Sequence, residues 1–194
     1  IMQQILSEHV DKKEVTAPIL HNAFQTYINQ FDSHRMYLLE SEAAPYFFPT
    51  PAQLEQAIKQ YKRNDFSQFK QLNQIIQASI ERSRRMRQDL EANLKNSIFH
   101  PSPDKAHAPI ANKEGLVPFA KTKEQLKERI MQNLGTYVEV QKKRYGEAMT
   151  PQRKELLLNS YETKLREFEN QYLYLNEKGQ PLPPSEQENF FTLH

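Results

Sequence analysis

Three groupings in this 194-residue sequence contain the residue types that proton transfer, nucleophilic attack or metal binding would require. The first is Asp32-Ser33-His34-Arg35, set between two apolar runs in INQFDSHRMYLLESE, residues 28–42. An acid beside a histidine can move protons. As a catalytic trio, however, this one lacks a nucleophile, and Asp32 and His34 are too closely spaced to face each other across a helix. The second is SQFK, Ser67 to Lys70, whose Ser-x-x-Lys spacing would set an amine one turn from a hydroxyl. A lysine must be desolvated to act as a base at neutral pH, and the surrounding NDFSQFKQLNQ is mostly polar, so this grouping reads as a solvated helix face. The third is the histidines at 9, 21, 34, 100, 107 and 194, none of which are three or four apart as a helical ligand pair requires. Only His100 and His107 could meet, and no carboxylate or thiolate cluster joins them. Four scattered glycines supply neither a phosphate cradle nor an oxyanion loop. No catalytic residue, metal ligand or cofactor is therefore assigned.

The 32–35 cluster has a cheaper explanation as a joint. A helix ending at Phe31 leaves carbonyls unpaired and the next helix leaves amides unpaired, which suits Asp32 to accept from His34 or Arg35 as an N-cap. Arg35 is then expected to lie back over the first helix or to pair with Glu40 or Glu42, while Tyr37 and Leu38 re-enter the core.

Composition limits what can surround this joint. With 38% hydrophobic residues the chain can bury a core, but a mean hydropathy of -0.82 predicts an elongated helical body with much solvated surface. Twenty-six Lys and Arg against 24 Asp and Glu leave a net charge of +2, which is no nucleic-acid footprint. The basic runs ERSRRMR, 81–87, and QKKRY, 141–145, read as charged helix faces, the first flanked by Glu81, Asp89 and Glu91. Without cysteine there is no disulfide or thiolate chemistry, and no apolar run is long enough to span a membrane. The opening IMQQILSEHVDKKEV lacks the order of a secretion signal, and the abrupt limits at Ile1 and FFTLH suggest a piece of a longer protein.

The dominant period is 3.6, which predicts an all-α array of antiparallel helices. One helix runs from Thr16 to Phe31, burying Ile19, Leu20, Ala23, Phe24, Tyr27, Ile28 and Phe31, with Pro18 in its first turn. Thr50 and Gln53 cap a second, and Asp65 opens a long third that continues through Leu94. Residues 96–121 carry too many prolines for a regular element and form a connection. The organisation is thus a first helical half, 1–95, that connection, and a second half, 122–194. Thr122 with Gln125 starts the second half, in which Gly135 marks a candidate close crossing. Thr150-Pro151 opens a further helix carrying Leu157, Tyr161, Leu165, Phe168, Tyr172 and Leu175, with Gly179 as C-cap. Ser185 and Glu188 have capping-box spacing ahead of Phe190 and Phe191.

FQTYINQFDSHRMYLLESE resembles the signature near the start of the tail-specific proteases, or C-terminal processing peptidases, in which an aromatic helix runs into Asp-Pro, then Arg, then Tyr and an apolar residue. Phe24, Tyr27, Asp32, Arg35 and Tyr37 match that pattern, while Ser33 replaces the usual proline. YKRNDFSQFKQLN, KTKEQLKERIMQNL and SYETKLREFENQYLYL are similar to later stretches of the same N-terminal region, and the wording is nearest to chlamydial-type members. The resemblance implies a periplasmic serine protease of the Ser-Lys type, with this helical domain followed by a PDZ domain and a protease domain. On that reading the piece itself is non-catalytic, and Ser67 and Lys70 do not inherit the family's catalytic roles. The expected roles are homodimerisation and bracing of the other domains, with docking of an adaptor or protein substrate as the alternative. Phe47, Phe48, Tyr172, Tyr174, Phe190 and Phe191 are the candidate interface, because they exceed what a slender array can hide.

Overall fold

The computed structural model describes residues 15–96, 117–145, 150–175, 180, 182 and 183. Among these residues the fold is all-α, with helices α1 (Ala17–Phe31), α2 (Glu40–Phe47), α3 (Pro51–Lys62), α4 (Ser67–Asn96), α5 (Lys123–Tyr145) and α6 (Pro151–Asn170). The described residues include an isolated parallel bridge, Leu39 with Ala120.

Helix α1 forms on the predicted stripe. Pro18 sits in its first turn, where no amide partner is lost, and Leu20, Ala23, Phe24, Tyr27, Ile28 and Phe31 are buried. Each fully buried Leu, Ile or Phe contributes roughly 1.5–3 kcal/mol, several times a surface ion pair, so the stripe decides how α1 sits. It packs against α2 and α3, while α5 packs against α6 and, more lightly, α4. Phe24 stacks on Phe69 of α4 with centroids 4.9 Å apart, and Phe31 meets Tyr37 and Tyr172, each at 4.9 Å. One apolar cluster therefore draws on α1, α2 and α4 and also on Phe119, Ile130 and Tyr172 from beyond the connection.

The caps explain the boundaries. Thr50 Oγ1 accepts from the Gln53 amide and Gln53 Oε1 accepts from the Thr50 amide, closing the box that starts α3. At α5 the box is offset: Thr122 Oγ1 accepts from the Gln125 amide, but Gln125 Oε1 reaches the amide of Lys121 at 2.7 Å. Helix α4 starts at Ser67 and not at Asp65, because Asp65 Oδ1 accepts from the Ser67 amide just outside the helix after a turn at Asn64 with φ 58°. Helix α6 ends at Asn170, short of the expected run to Gly179. Tight bonds from the amides of Gln171 and Tyr172 to Phe168 and Glu169 turn the chain, and Tyr174 has φ 46°. Gly179 and the Ser185–Glu188 spacing lie outside the described residues.

Candidate functional site

The joint after α1 is built on one carboxylate. Asp32 is 1% exposed, and its oxygens accept from the amides of Met36 (2.7 Å to Oδ1), Leu38 (2.9 Å to Oδ2) and Tyr37 (3.3 Å to each). The acid is an acceptor of backbone amides, as its sequence position suggested, but it is not a helix N-cap on His34 or Arg35. No helix starts there: residues 33–38 form a loop folded around the carboxylate, and α2 starts at Glu40. Burial pushes the Asp32 carboxyl above its usual range, while the amides of Leu38 and Met36, the nearby Arg35 and the Tyr37 amide pull it down.

Arg35 takes the first of its two expected placements, lying back over the end of α1 to reach Asn29, and pairs with neither Glu40 nor Glu42; it is buried, with a left-handed backbone at φ 54°. That conformation costs a non-glycine residue roughly 1–2 kcal/mol, and the side chain's contacts offset it. Nη1 donates to Asp32 O at 2.8 Å, Nη2 to Asn29 Oδ1 and Nε to Val117 O at 3.3 Å. The guanidinium also lies 4.2 Å from the Phe119 ring centroid and 5.2 Å from that of Phe47. Burial lowers the Arg35 pKa, with Asp32 opposing that shift.

A second polar centre ties α6 to α4 and to the joint. Glu169, 0% exposed, receives Arg84 Nε at 2.6 Å, Arg87 Nη1 at 2.8 Å and the Tyr37 hydroxyl at 3.0 Å. Arg87 also grips Glu162 through Nε at 2.7 Å and donates to Ser83 Oγ at 2.7 Å. Burial works against the Arg87 charge, but Glu162 and Glu169 prevail and raise its pKa. Burial and the charge of Glu169 together push the Tyr37 hydroxyl well above its ordinary range. Nearby, Arg82 forms a fork on Glu42 at 2.6 and 2.8 Å and donates to Tyr37 O at 2.6 Å.

ERSRRMR is therefore not the solvated face its composition suggested. Arg82, Arg84 and Arg87 turn inward to carboxylates supplied by α2 and α6, and Arg85 stays out with Glu81. Sequence reasoning missed Glu162 and Glu169 as partners. The available signal was their spacing, two turns apart on an apolar helix face, opposite arginines three apart.

The other groupings are also accounted for. Ser67 Oγ accepts from Gln60 Nε2 at 3.3 Å, His21 donates through Nε2 to Phe47 O at 3.0 Å, and Ser33 Oγ bonds His34 Nδ1. His9, His100, His107 and His194 lie outside the described residues; among those described, no three His, Asp or Glu could hold a metal ion. None of the described helices is long and apolar enough to cross a membrane.

The proposed interface divides. Phe47 and Tyr172 are core residues, with Phe47 edge-on to Phe119 at 5.2 Å and Tyr172 packed on Phe31, so neither can face a partner. Helix ends were misread as surface there, because α2 and the turn after α6 both fold inward. Tyr174 is partly buried, Phe48 is 65% exposed, and Phe190 and Phe191 lie outside the described residues.

These features define an all-α domain whose described buried charges serve to hold helices together. A family model described as the tail specific protease N-terminal domain matches residues 1–193, and the chain belongs to that family. No curated protein matches it.

Proposed function

We propose that the domain is the non-catalytic N-terminal scaffold of a periplasmic tail-specific serine protease of the chlamydial type, where it dimerises and braces the PDZ and protease domains. One observation carries the bracing half: Glu169, fully buried, joins two arginines of α4 to the Tyr37 hydroxyl of the joint, so three elements share one anchor. The buried Asp32, Tyr37 and Glu169 and the half-buried Glu162 are all spent on holding the joint and the helices, while the exposed Ser33 and His34 bond each other. The dimer half is supported by Phe48, 65% exposed, and by exposed Val140 and Leu156 on α5 and α6. Sedimentation of the domain across a wide concentration range tests it, since a monomer at high micromolar concentration removes the dimer. Incubation with an unfolded protein tail should yield no cleavage, and cleavage would overturn the non-catalytic assignment. The same exposed apolar residues favour a second reading, docking of an adaptor or protein substrate, which a defined partner bound by a monomeric domain would support.

A further inference from the structure

Glu42, Glu162 and Glu169 each face an arginine at 2.6 to 2.8 Å. Asp32 is more deeply buried than two of them, at 1% exposure, yet no cation among the described residues pairs with its carboxylate, which rests on the amides of Met36, Tyr37 and Leu38. The charged or titratable groups that face it are Arg35 and Tyr37 from its own loop and Arg129 from α5. All three are turned elsewhere. Arg35 donates to Asp32 O, Asn29 Oδ1 and Val117 O, Arg129 donates to the carbonyls of Arg35 and Pro118, and the Tyr37 hydroxyl reaches Glu169. Helix α1 meets the loop through the uncharged Asn29 and Phe31, α4 through Arg82, which is forked on Glu42, and α6 through Glu169, which Arg84 and Arg87 neutralise.

A carboxylate buried without a countercharge bears the cost of its own desolvation, and a proton removes that cost. Burial is accordingly the largest influence on the Asp32 carboxyl and lifts it above its usual range, with the amides and Arg35 opposing. The folded chain therefore takes up this proton at a pH where the unfolded chain does not, so acid reaches Asp32 without unfolding the domain through it. What the proton changes is local. Met36 bonds Oδ1 and Leu38 bonds Oδ2, so protonating either oxygen leaves one of these amides facing a weaker, neutral acceptor that carries a hydrogen of its own. The loop they hold places the Tyr37 hydroxyl on Glu169, Tyr37 O on Arg82 and Arg35 Nε on Val117 O.

We propose that the joint is a proton-operated switch: one proton taken up by Asp32 loosens residues 33–38 and weakens their ties to α4, α6 and the segment before α5, while the helices stay formed. Its effector is the acidity of the surroundings, and no ligand or second copy is required. The inference goes beyond the dimerisation and bracing reading and does not depend on it, because the titration is read in the chain whatever its oligomeric state.

The test is an NMR titration of the 194-residue chain from neutral to weakly acidic pH with an internal reference. Asp65 also accepts from an amide, that of Ser67 at 2.9 Å, but it is exposed, and the Ser67 amide holds its carboxyl below the usual range. The Asp32 carboxyl carbon and the Met36 and Leu38 amides are expected to shift together, at a midpoint above that of the Ser67 amide. Over the same interval one of the two loop amides, corrected for intrinsic exchange, should lose about ten-fold in protection while the α4 amides keep theirs. In Asp32→Asn the loop amides should no longer move at that midpoint, and the Ser67 amide still should. Should that variant fail to fold, the titration of the natural sequence decides alone. An Asp32 midpoint at or below that of Asp65 overturns the proposal, as does a higher midpoint that leaves the Met36 and Leu38 amides undisturbed. Loss of α4 protection in step with the loop means general acid unfolding and overturns it equally.

Discussion

Asp32→Asn is the sharpest probe of the joint, because the change is nearly isosteric and its cost follows from geometry. The two shortest bonds reach different oxygens, Met36 to Oδ1 at 2.7 Å and Leu38 to Oδ2 at 2.9 Å. A carboxamide has one acceptor oxygen, so whichever way it turns, one of these amides faces an N–H donor. A buried amide left without an acceptor costs about 1–3 kcal/mol, and the surviving bonds lose the strengthening a charged acceptor gives. Together the loss is about 3 kcal/mol, a large part of the 5–15 kcal/mol typical of a domain. For a domain of this size it corresponds to a fall in Tm of about 6–12 °C. Urea unfolding followed by far-ultraviolet circular dichroism should give a lower midpoint at unchanged slope. Hydrogen exchange should show the protection of Met36 or Leu38 collapsing while the α4 amides keep theirs relative to the lowered global stability. A loss under about 1 kcal/mol with both amides still protected would mean that the loop is organised by Arg35 and the aromatic rings instead.

Glu169→Ala should destabilise by about 3–5 kcal/mol, since it strands Arg84 and Arg87 without their shared carboxylate; replacing Arg87 and Glu169 together with Met and Leu should cost less than the two single changes summed, in denaturant melts of a double-mutant cycle. Phe47→Ala should cost about 3–5 kcal/mol, whereas Phe48→Ala, on a side chain 65% exposed, should stay within about 0.5 kcal/mol and alter only self-association, as read by sedimentation. Burial first, with Glu162 and Glu169 adding to it and Arg87 opposing, pushes the Tyr161 hydroxyl up to about 12. Because the folded value lies above the unfolded one, its contribution is complete below the ordinary tyrosine range near 10 and is lost as pH rises toward about 12; alkaline melts of Tyr161→Phe should show a shallower loss there than the natural sequence.

How much of this was legible in the sequence depended on whether a contact is local. The apolar stripe of α1, the Thr50–Gln53 box and the Thr150 cap, which accepts from the Arg153 amide at 3.2 Å, are set by residues within one or two turns of each other, and period and capping chemistry found them. Asp32 was recognisable as an acceptor because an acid after an aromatic helix end has few other uses. Its actual donors lie four to six residues on, in a loop closed by Arg35 in a left-handed conformation, which residue type does not predict. The inward turn of Arg82, Arg84 and Arg87 was illegible for a different reason: their partners lie 40 to 85 residues away, and a local charge count treats such arginines as solvated. The same blindness made Phe47 and Tyr172 look like surface, since the Phe119 ring against Phe47 and the Phe31 ring against Tyr172 both come from distant parts of the sequence.

The seam between α4 and α6 raises the question of why a scaffold would use ions where leucines would hold. A leucine seam tolerates sliding, because one apolar contact is much like the next. Here a slip of α6 by one turn, about 5.4 Å, would part Glu169 from both Arg84 and Arg87 and Glu162 from Arg87, leaving buried charges unpaired at several kcal/mol each. The Tyr37 hydroxyl would lose Glu169 in the same movement, so the joint after α1 would register the slip. Burial of the ring of Phe31 against Tyr37, Phe168 and Tyr172 supplies the attraction, and the charges supply the alignment. The bracing proposed above would call for alignment more than for additional attraction, and that is the physical sense in which this polar interior suits it.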